Sequence, residues 1–251
     1  MTIASRMGVR LPEPLLVRLV SIAYLRFEPE IRRLKDLTGP VGGTMVDVGS
    51  WYGPWARRLA RRADRVLAIE PTPVHEVLQR TLPAGVEVIA AAASDHSGVG
   101  EMWLSTEGGA VQGVSSLHKR DIHHVPTKVQ LVTIDSLGLK NVTFMKIDVE
   151  GHEIAALQGA ADTIKRDRPR LFVEVEQRVQ PVSQVTDLLA AWGYQGWVRP
   201  GRQWLRLDDF DLVAAQEKTC HVAERGLLRR ALWPYPRYVN SVLFLPDGLR
   251  P

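Results

Sequence analysis

The segment that most constrains this chain is one in which a strand signal runs straight into a glycine-bounded turn and then a helix. Thr44 to Val48 is short, apolar and β-branched. Gly49-Ser50-Trp51-Tyr52-Gly53 follows, and Pro54 opens a helical period that reaches Arg62. Proline is cheap at that position because a first-turn N–H has no helical partner to lose. Such a unit buries nothing alone; it needs parallel neighbours on its edges and helices on its faces. The chain supplies them: a strand at Arg65–Ile69, a helix at Pro73–Arg80 and a strand at Val86–Ala91. This βαβαβ rhythm predicts a mostly parallel sheet covered on both sides.

Between Ser94 and Lys128 the rhythm breaks, with glycines, histidines and one strand signal at Gly100–Leu104. A connection of that length points to function. Strand patterns return at Val129–Thr133, Asn141–Ile147 and Arg170–Val175, with a helix at Glu153–Lys165 between the last two. A helix at Val182–Trp192, short strands at Tyr194–Val198 and Gln203–Leu207, and a strand at Asn240–Leu245 complete the pattern.

Composition closes off other classes. With 251 residues, 45% hydrophobic, 24% charged and one cysteine, the chain is neither collagen-like, disordered nor a disulfide framework. Cys220 has no partner, so a reducing, cytoplasmic setting is expected. The 32 basic and 28 acidic residues are interleaved, so no nucleic-acid partner is expected. Residues 1–40 read as a helical extension ahead of one domain at 41–251. Within the extension, Leu15 to Phe27 is interrupted by Arg18 and Arg26 and is shorter than the roughly 20 residues that cross a bilayer, so no transmembrane segment is expected. It is apolar around most of its circumference and must be covered, by the main domain or by a second copy in a homodimer, with a membrane-surface helix or a lid over the substrate as the alternatives.

The turn after the first strand suits a nucleoside-bearing ligand. Glu70, twenty-one residues beyond Gly49, ends the next strand, where a carboxylate can take both ribose hydroxyls. A dinucleotide needs glycine where this turn has Trp51 and Tyr52, and Asp47 would repel its pyrophosphate. Asp47 suits instead the α-ammonium of S-adenosylmethionine, with backbone amides of the turn left for the carboxylate. Ser94 and Asp95, at the end of the third strand, are placed to meet the adenine amine; Asp95 reads equally as a turn residue.

A second constellation lies in Lys146-Ile147-Asp148-Val149-Glu150-Gly151-His152-Glu153. Alternation puts Lys146, Asp148 and Glu150 on one side of a strand that should be apolar throughout. The next strand, Leu171 to Glu176, places Glu174 and Glu176 on one face at its carboxyl end. If Asp148 and Glu174 end neighbouring strands, their oxygens can converge on a hard divalent cation, magnesium being expected. The competing reading satisfies these acids with Lys146, Arg178 or backbone amides.

Taken together, the turn from Asp47 to Gly53, Glu70-Pro71, Ala93-Ser94-Asp95 with Gly98, Thr133 to Leu137, the Lys146 to Glu153 block, Leu157 to Ala160 and the Asn240 to Pro246 strand resemble the FkbM family of methyltransferases. The resemblance covers about residues 41 to 180 and the last strand. It implies a class I methyltransferase α/β fold with a seven-stranded, mostly parallel sheet, its last strand antiparallel, and methyl transfer from S-adenosylmethionine to a hydroxyl oxygen. It also implies that Asp47, Gly49 and Gly53 form the cofactor turn, that Glu70 is the ribose carboxylate, and that Asp148 and Glu150 lie beside the transferring methyl. Trp51-Tyr52, the helical extension and an insertion between Asp208 and Tyr238 depart from the family pattern.

The expected activity is therefore O-methylation of a small-molecule or oligosaccharide hydroxyl, assisted by a cation. His152, or His118 in the long loop, would accept the proton near neutral pH. Polyketide hydroxyls are the alternative acceptor, and a NAD-dependent sugar oxidoreductase or a non-catalytic binding module the alternative classes. His123, His124 and the arginine- and aromatic-rich stretch from Arg225 to Tyr238 are further candidates for the acceptor side.

Overall fold

The computed structural model describes residues 12–104, 125–223 and 236–251. Helix α1 (Glu13–Phe27), a 3-10 turn (Pro29–Arg33) and α2 (Leu34–Thr38) lead into β1 (Thr44–Val48). Strands β2 (Arg65–Ile69) and β3 (Val86–Ile89), joined through α4 (Val74–Thr81), extend the sheet on one side of β1, and β7 (Val142–Ile147) and β8 (Arg170–Glu174) on the other, all parallel. Beyond β8 come β11 (Ser241–Pro246), β9 (Tyr194–Val198) and β10 (Leu205–Arg206), with β11 antiparallel to both β8 and β9.

The order β10-β9-β11-β8-β7-β1-β2-β3 is the class I methyltransferase arrangement with eight strands in place of the seven expected. The added strand is β10: only two residues of the Gln203–Leu207 pattern pair, against Trp197 and Val198 at the sheet edge. The interrupted region has its own small sheet, in which β5 (Gly98–Leu104) and β6 (Val125–Val132) form an antiparallel pair and β4 (Ala92–Ala93) runs parallel to β6.

Alternation along β1 divides the core. Val46 and Val48, with Leu67, Ile69, Met145, Ile147 and Val173, face Ala156, Leu157 and Ile164 of α5 (Glu153–Gln158) and α6 (Ala161–Asp167), and Val185 and Leu189 of α7 (Val182–Ala191). Met45, Ala68, Phe144, Phe172 and Leu243 face Trp55, Leu59 of α3 (Ala56–Leu59), Ile31 and Leu37. Trp55 stacks on Phe144 at 6.1 Å and meets Phe172 at 5.2 Å, and each fully buried ring contributes about 1.5–3 kcal/mol. The N-terminal segment thus covers the sheet face that carries Asp47, Lys146 and Glu174. Leu15, Leu19 and Ile22 point outward from α1, 44%, 47% and 63% exposed.

Two expected helices are shorter or divided. The Pro54–Arg62 pattern yields four α-helical residues in α3, and Glu153–Lys165 splits into α5 and α6 around Gly159. A Cβ on Gly159 would lie 1.9 Å from the Ser94 carbonyl oxygen, so the break lets two backbones touch. No helix among the described residues is long and apolar enough to cross a membrane.

Candidate active site

The strand order reverses at β1, with β2 and β3 to one side and β7 and β8 to the other, and the crevice at the carboxyl ends of these strands is where such sheets bind ligands. Asp47 and Lys146 are directly opposite each other across β1 and β7, and both are buried. Lys146 Nζ donates to Asp148 Oδ2 at 2.8 Å and to the Gly49 carbonyl at 3.4 Å. Burial alone would pull the Lys146 pKa down; the carboxylates of Asp148, Asp47 and Glu28 outweigh it and hold the ammonium charged.

Asp47 accepts the Ala56 N–H on Oδ2 at 2.9 Å, while Oδ1 is buried and has no hydrogen-bond partner among the described residues. Burial pushes this carboxyl up to about 6, with Lys146 pulling the other way. The turn itself departs from expectation. The N–H groups of Gly49 and Ser50 both donate to the Ile69 carbonyl, Trp51 N donates to Glu70 Oε2 and Gly53 N to the Ser50 carbonyl, so these amides are already engaged. Isolated reading of the glycine spacing misses this because their partners belong to β2 and its end.

Glu70 braces the turn. It is buried, takes Trp51 N at 2.8 Å on one oxygen, and takes Thr72 N at 3.0 Å and Thr72 Oγ1 at 2.5 Å on the other. Burial raises its pKa despite these donors. Gly49 has φ +76°, and a Cβ there would stand 1.8 Å from the Asp148 carbonyl oxygen, so the cofactor turn and the acid-bearing loop touch through backbone.

Because Ile147 pairs with Val173, Asp148 and Glu174 emerge side by side from β7 and β8. Oxygens of Asp148, Glu150 and Glu174 lie within 4.8 Å of one another. Burial works against ionisation of both members of the pair. For Asp148 the Lys146 ammonium and a hydrogen bond from Glu174 prevail and hold its pKa down. For Glu174, burial and the charges of Asp148 and Glu150 push the pKa well up. The two shifts run in opposite directions, so of the pair Glu174 is the carboxyl whose surroundings favour the protonated form. Asn240 Nδ2 donates to Glu174 Oε1, and Arg178 pairs with Glu176 at 2.8 Å.

The loop between Asp148 and α5 turns through Glu150 at φ +51° and Gly151 at φ +96°. Glu153, buried, clamps it by accepting Val149 N and Gly151 N at 3.1 Å, with Gln180 Nε2 at 2.6 Å on the same carboxylate. His152 precedes α5, and its Nε2 lies 3.1 Å from Ser94 Oγ. Ser94 is buried, whereas Asp95 is exposed, 2.6 Å from His96 Nδ1, and its pKa is held down by that contact. His118, His123, His124 and the Arg225 to Tyr235 stretch lie outside the described residues.

Sequence reasoning gave no role to Glu28, which the fold brings to the same crevice. Its Oε2 accepts Trp55 Nε1 at 2.5 Å and its Oε1 accepts Ser241 Oγ at 3.1 Å; burial pushes its pKa up to about 7. The available signal was two acids flanking a proline, Glu28-Pro29-Glu30, after an apolar helix.

Residues 43–195 match the family model described as the methyltransferase FkbM domain. Among curated proteins no sequence matches the chain. Similar solved structures include a methyltransferase FkbM from Methylobacillus flagellatus, 17% identical with a TM-score of 0.48, covering 81% of this chain and 43% of that one. The chain thus spans less than half the length of that structure. A precorrin 8W decarboxylase from Methanobacterium thermoautotrophicum is 14% identical with a TM-score of 0.46, over 86% of this chain and 89% of that one. A SAM-dependent methyltransferase from Thiobacillus denitrificans in complex with S-adenosylhomocysteine is 12% identical with a TM-score of 0.41, over 94% and 98%.

Proposed function

Since the chain belongs to the FkbM methyltransferase family, we propose that it transfers a methyl group from S-adenosylmethionine to a hydroxyl oxygen of a carbohydrate or related polar acceptor. The observation that carries the reading is the convergence of Asp148 and Glu174, coupled through Lys146 to Asp47, within one crevice beside the glycine turn. The buried Oδ1 of Asp47, without a hydrogen-bond partner among the described residues, is assigned to the α-ammonium side, and Glu70 lies at the β2 end where a ribose belongs. Ser94 and Asp95 are assigned to the adenine side. When bound, the cofactor supplies an electrophilic methyl on a sulfonium sulfur.

The residues of the chain supply alignment and a proton path. Lys146 keeps Asp148 ionised, so Asp148 can accept a hydrogen bond from the acceptor hydroxyl and orient its oxygen. Asp148 would take the proton that the acceptor hydroxyl gives up on methylation. The pair then returns that proton to solvent. Glu150 adds negative charge beside the pair, and His152, tied to Ser94, is the neighbouring relay. Asp148, Glu150 and Glu174 also form a set of carboxylates that, with Glu174 deprotonated, would hold magnesium, which would acidify a bound hydroxyl.

Calorimetry with S-adenosylmethionine, S-adenosylhomocysteine and NAD tests the cofactor: the first two bind, and tight NAD binding alone overturns the reading in favour of an oxidoreductase. Asp148→Ala is expected to lower methyl transfer about 100-fold or more while cofactor binding persists. Loss of activity in EDTA, restored by magnesium, is expected from the cation; EDTA-insensitive turnover removes it from the mechanism.

A further inference from the structure

The family match begins at residue 43, yet a carboxylate from ahead of it lies near enough to Lys146 and Asp148 to feel both charges. Glu28 follows α1 directly and spans two parts of the site. On one side it takes the indole N–H of Trp55, just past the Gly49–Gly53 turn. On the other it takes the hydroxyl of Ser241, which sits opposite Glu174 in the β8–β11 ladder. One turn earlier, the Tyr24 ring lies 6.1 Å from that of Trp51, inside the same turn, and the Tyr24 carbonyl accepts the Glu28 N–H at 3.0 Å.

A strut between Trp55 and Ser241 does not need a charge. Withdrawing a carboxylate from water is costly, and an amide would bridge an indole N–H and a hydroxyl more cheaply. Among the described residues Glu28 makes no direct ion pair; Lys146 acts on its charge from a longer range. A carboxylate has about four lone-pair sites, and two donors here leave capacity for more. With Asp148, Glu150 and Glu174 converging there, the crevice is rich in acceptors, and Lys146 and Arg178 are each engaged by a carboxylate, a surrounding that favours a neutral polyhydroxylated ligand over an anionic one.

We propose that Glu28 is an acceptor-binding residue, receiving a hydroxyl adjacent to the one that is methylated, so that the segment ahead of the family domain selects the acceptor. This inference rests on the methyl-transfer reading above and extends it to a residue outside the family match.

The experiment measures transfer from radiolabelled S-adenosylmethionine to methyl α-D-glucopyranoside, methyl β-D-galactopyranoside and methyl α-L-rhamnopyranoside, using the full-length wild type, Glu28→Gln and Glu28→Ala. Thermal midpoints and cofactor Kd are recorded alongside. The expected result is a KM for the best glycoside raised about tenfold or more in Glu28→Gln, with kcat within about twofold and cofactor Kd unchanged. A wild type that binds cofactor but methylates none of the glycosides defeats the carbohydrate reading and this inference with it. A wild type that turns over while Glu28→Gln keeps its KM, or loses only stability or folding, overturns the inference alone and makes Glu28 a strut. Glu28→Ala reports how much of the fold depends on the bridge.

Discussion

Gly49 has no room for even one added carbon. Its φ of +76° is unfavourable to any side chain, and the first atom of one would meet the Asp148 carbonyl at 1.8 Å, against backbone that cannot swing aside. Gly49→Ala is therefore expected to cost about 3 kcal/mol or more and to displace the acid-bearing loop, read as a lowered denaturant midpoint with loss of methyl transfer. Gly53→Ala should be milder. Its φ is similar at +71°, but the nearest atoms, at 2.9 and 3.0 Å, are the ends of Leu82 and Leu78, which can rotate. At this scale the sequence announces residues whose chemistry contradicts their position. Asp47, Lys146, Asp148 and Glu174 stand out as charges in buried strands. Glu28 does not, because an acid after a helix is ordinary and its partner Ser241 is 213 residues away.

Among the elements, the loop joining β7 to α5 depends on Glu153 most directly. Its carboxyl is pushed from an ordinary 4.5 up to about 7 by burial. Between those values the folded protein keeps a proton that the unfolded chain has released, so stability falls as pH rises. The contribution is complete below about 4.5 and lost as pH passes about 7. Asp47, at about 6, and Glu28, at about 7, act with the same sign. The chemical denaturation midpoint should decline across this range, and Glu153→Gln should flatten the decline without abolishing it. A slope unchanged in the variant would exclude Glu153 as a source. Elements were legible where one pattern governed: β1, β2, β7, β8 and β9 are runs of β-branched or apolar residues, and each forms near its expected bounds. The α5–α6 break was not. Gly159 sits within an unbroken helical period, and tertiary contacts explain the break: its closeness to the Ser94 carbonyl, and Asp135, whose N–H donates to the Gly159 carbonyl and whose carboxylate accepts the Asp162 and Thr163 N–H groups that open α6. The added edge strand β10 likewise owes its pairing to β9 more than to its own two residues.

For the whole molecule, α1 has one side against the sheet-covering cluster, through Tyr24 and Leu25, and another in solvent, through Leu15, Leu19 and Ile22. The homodimer expected from that helix predicts a mass of two chains by light scattering at micromolar concentration, reduced to one by Ile22→Glu. A single-chain mass for the wild type counts against it. The same segment is tied to distant chain at several points: Arg58 donates to the Ser21 carbonyl at 2.8 Å, Arg237 pairs with buried Glu30, and Ser241 reaches Glu28. These ties have a consequence for synthesis. The Glu28 and Glu30 anchors wait on residues that leave the ribosome more than two hundred codons later, so a nascent chain carrying every strand of the parallel sheet still lacks one wall of its crevice. Translation past β11 is what completes that wall.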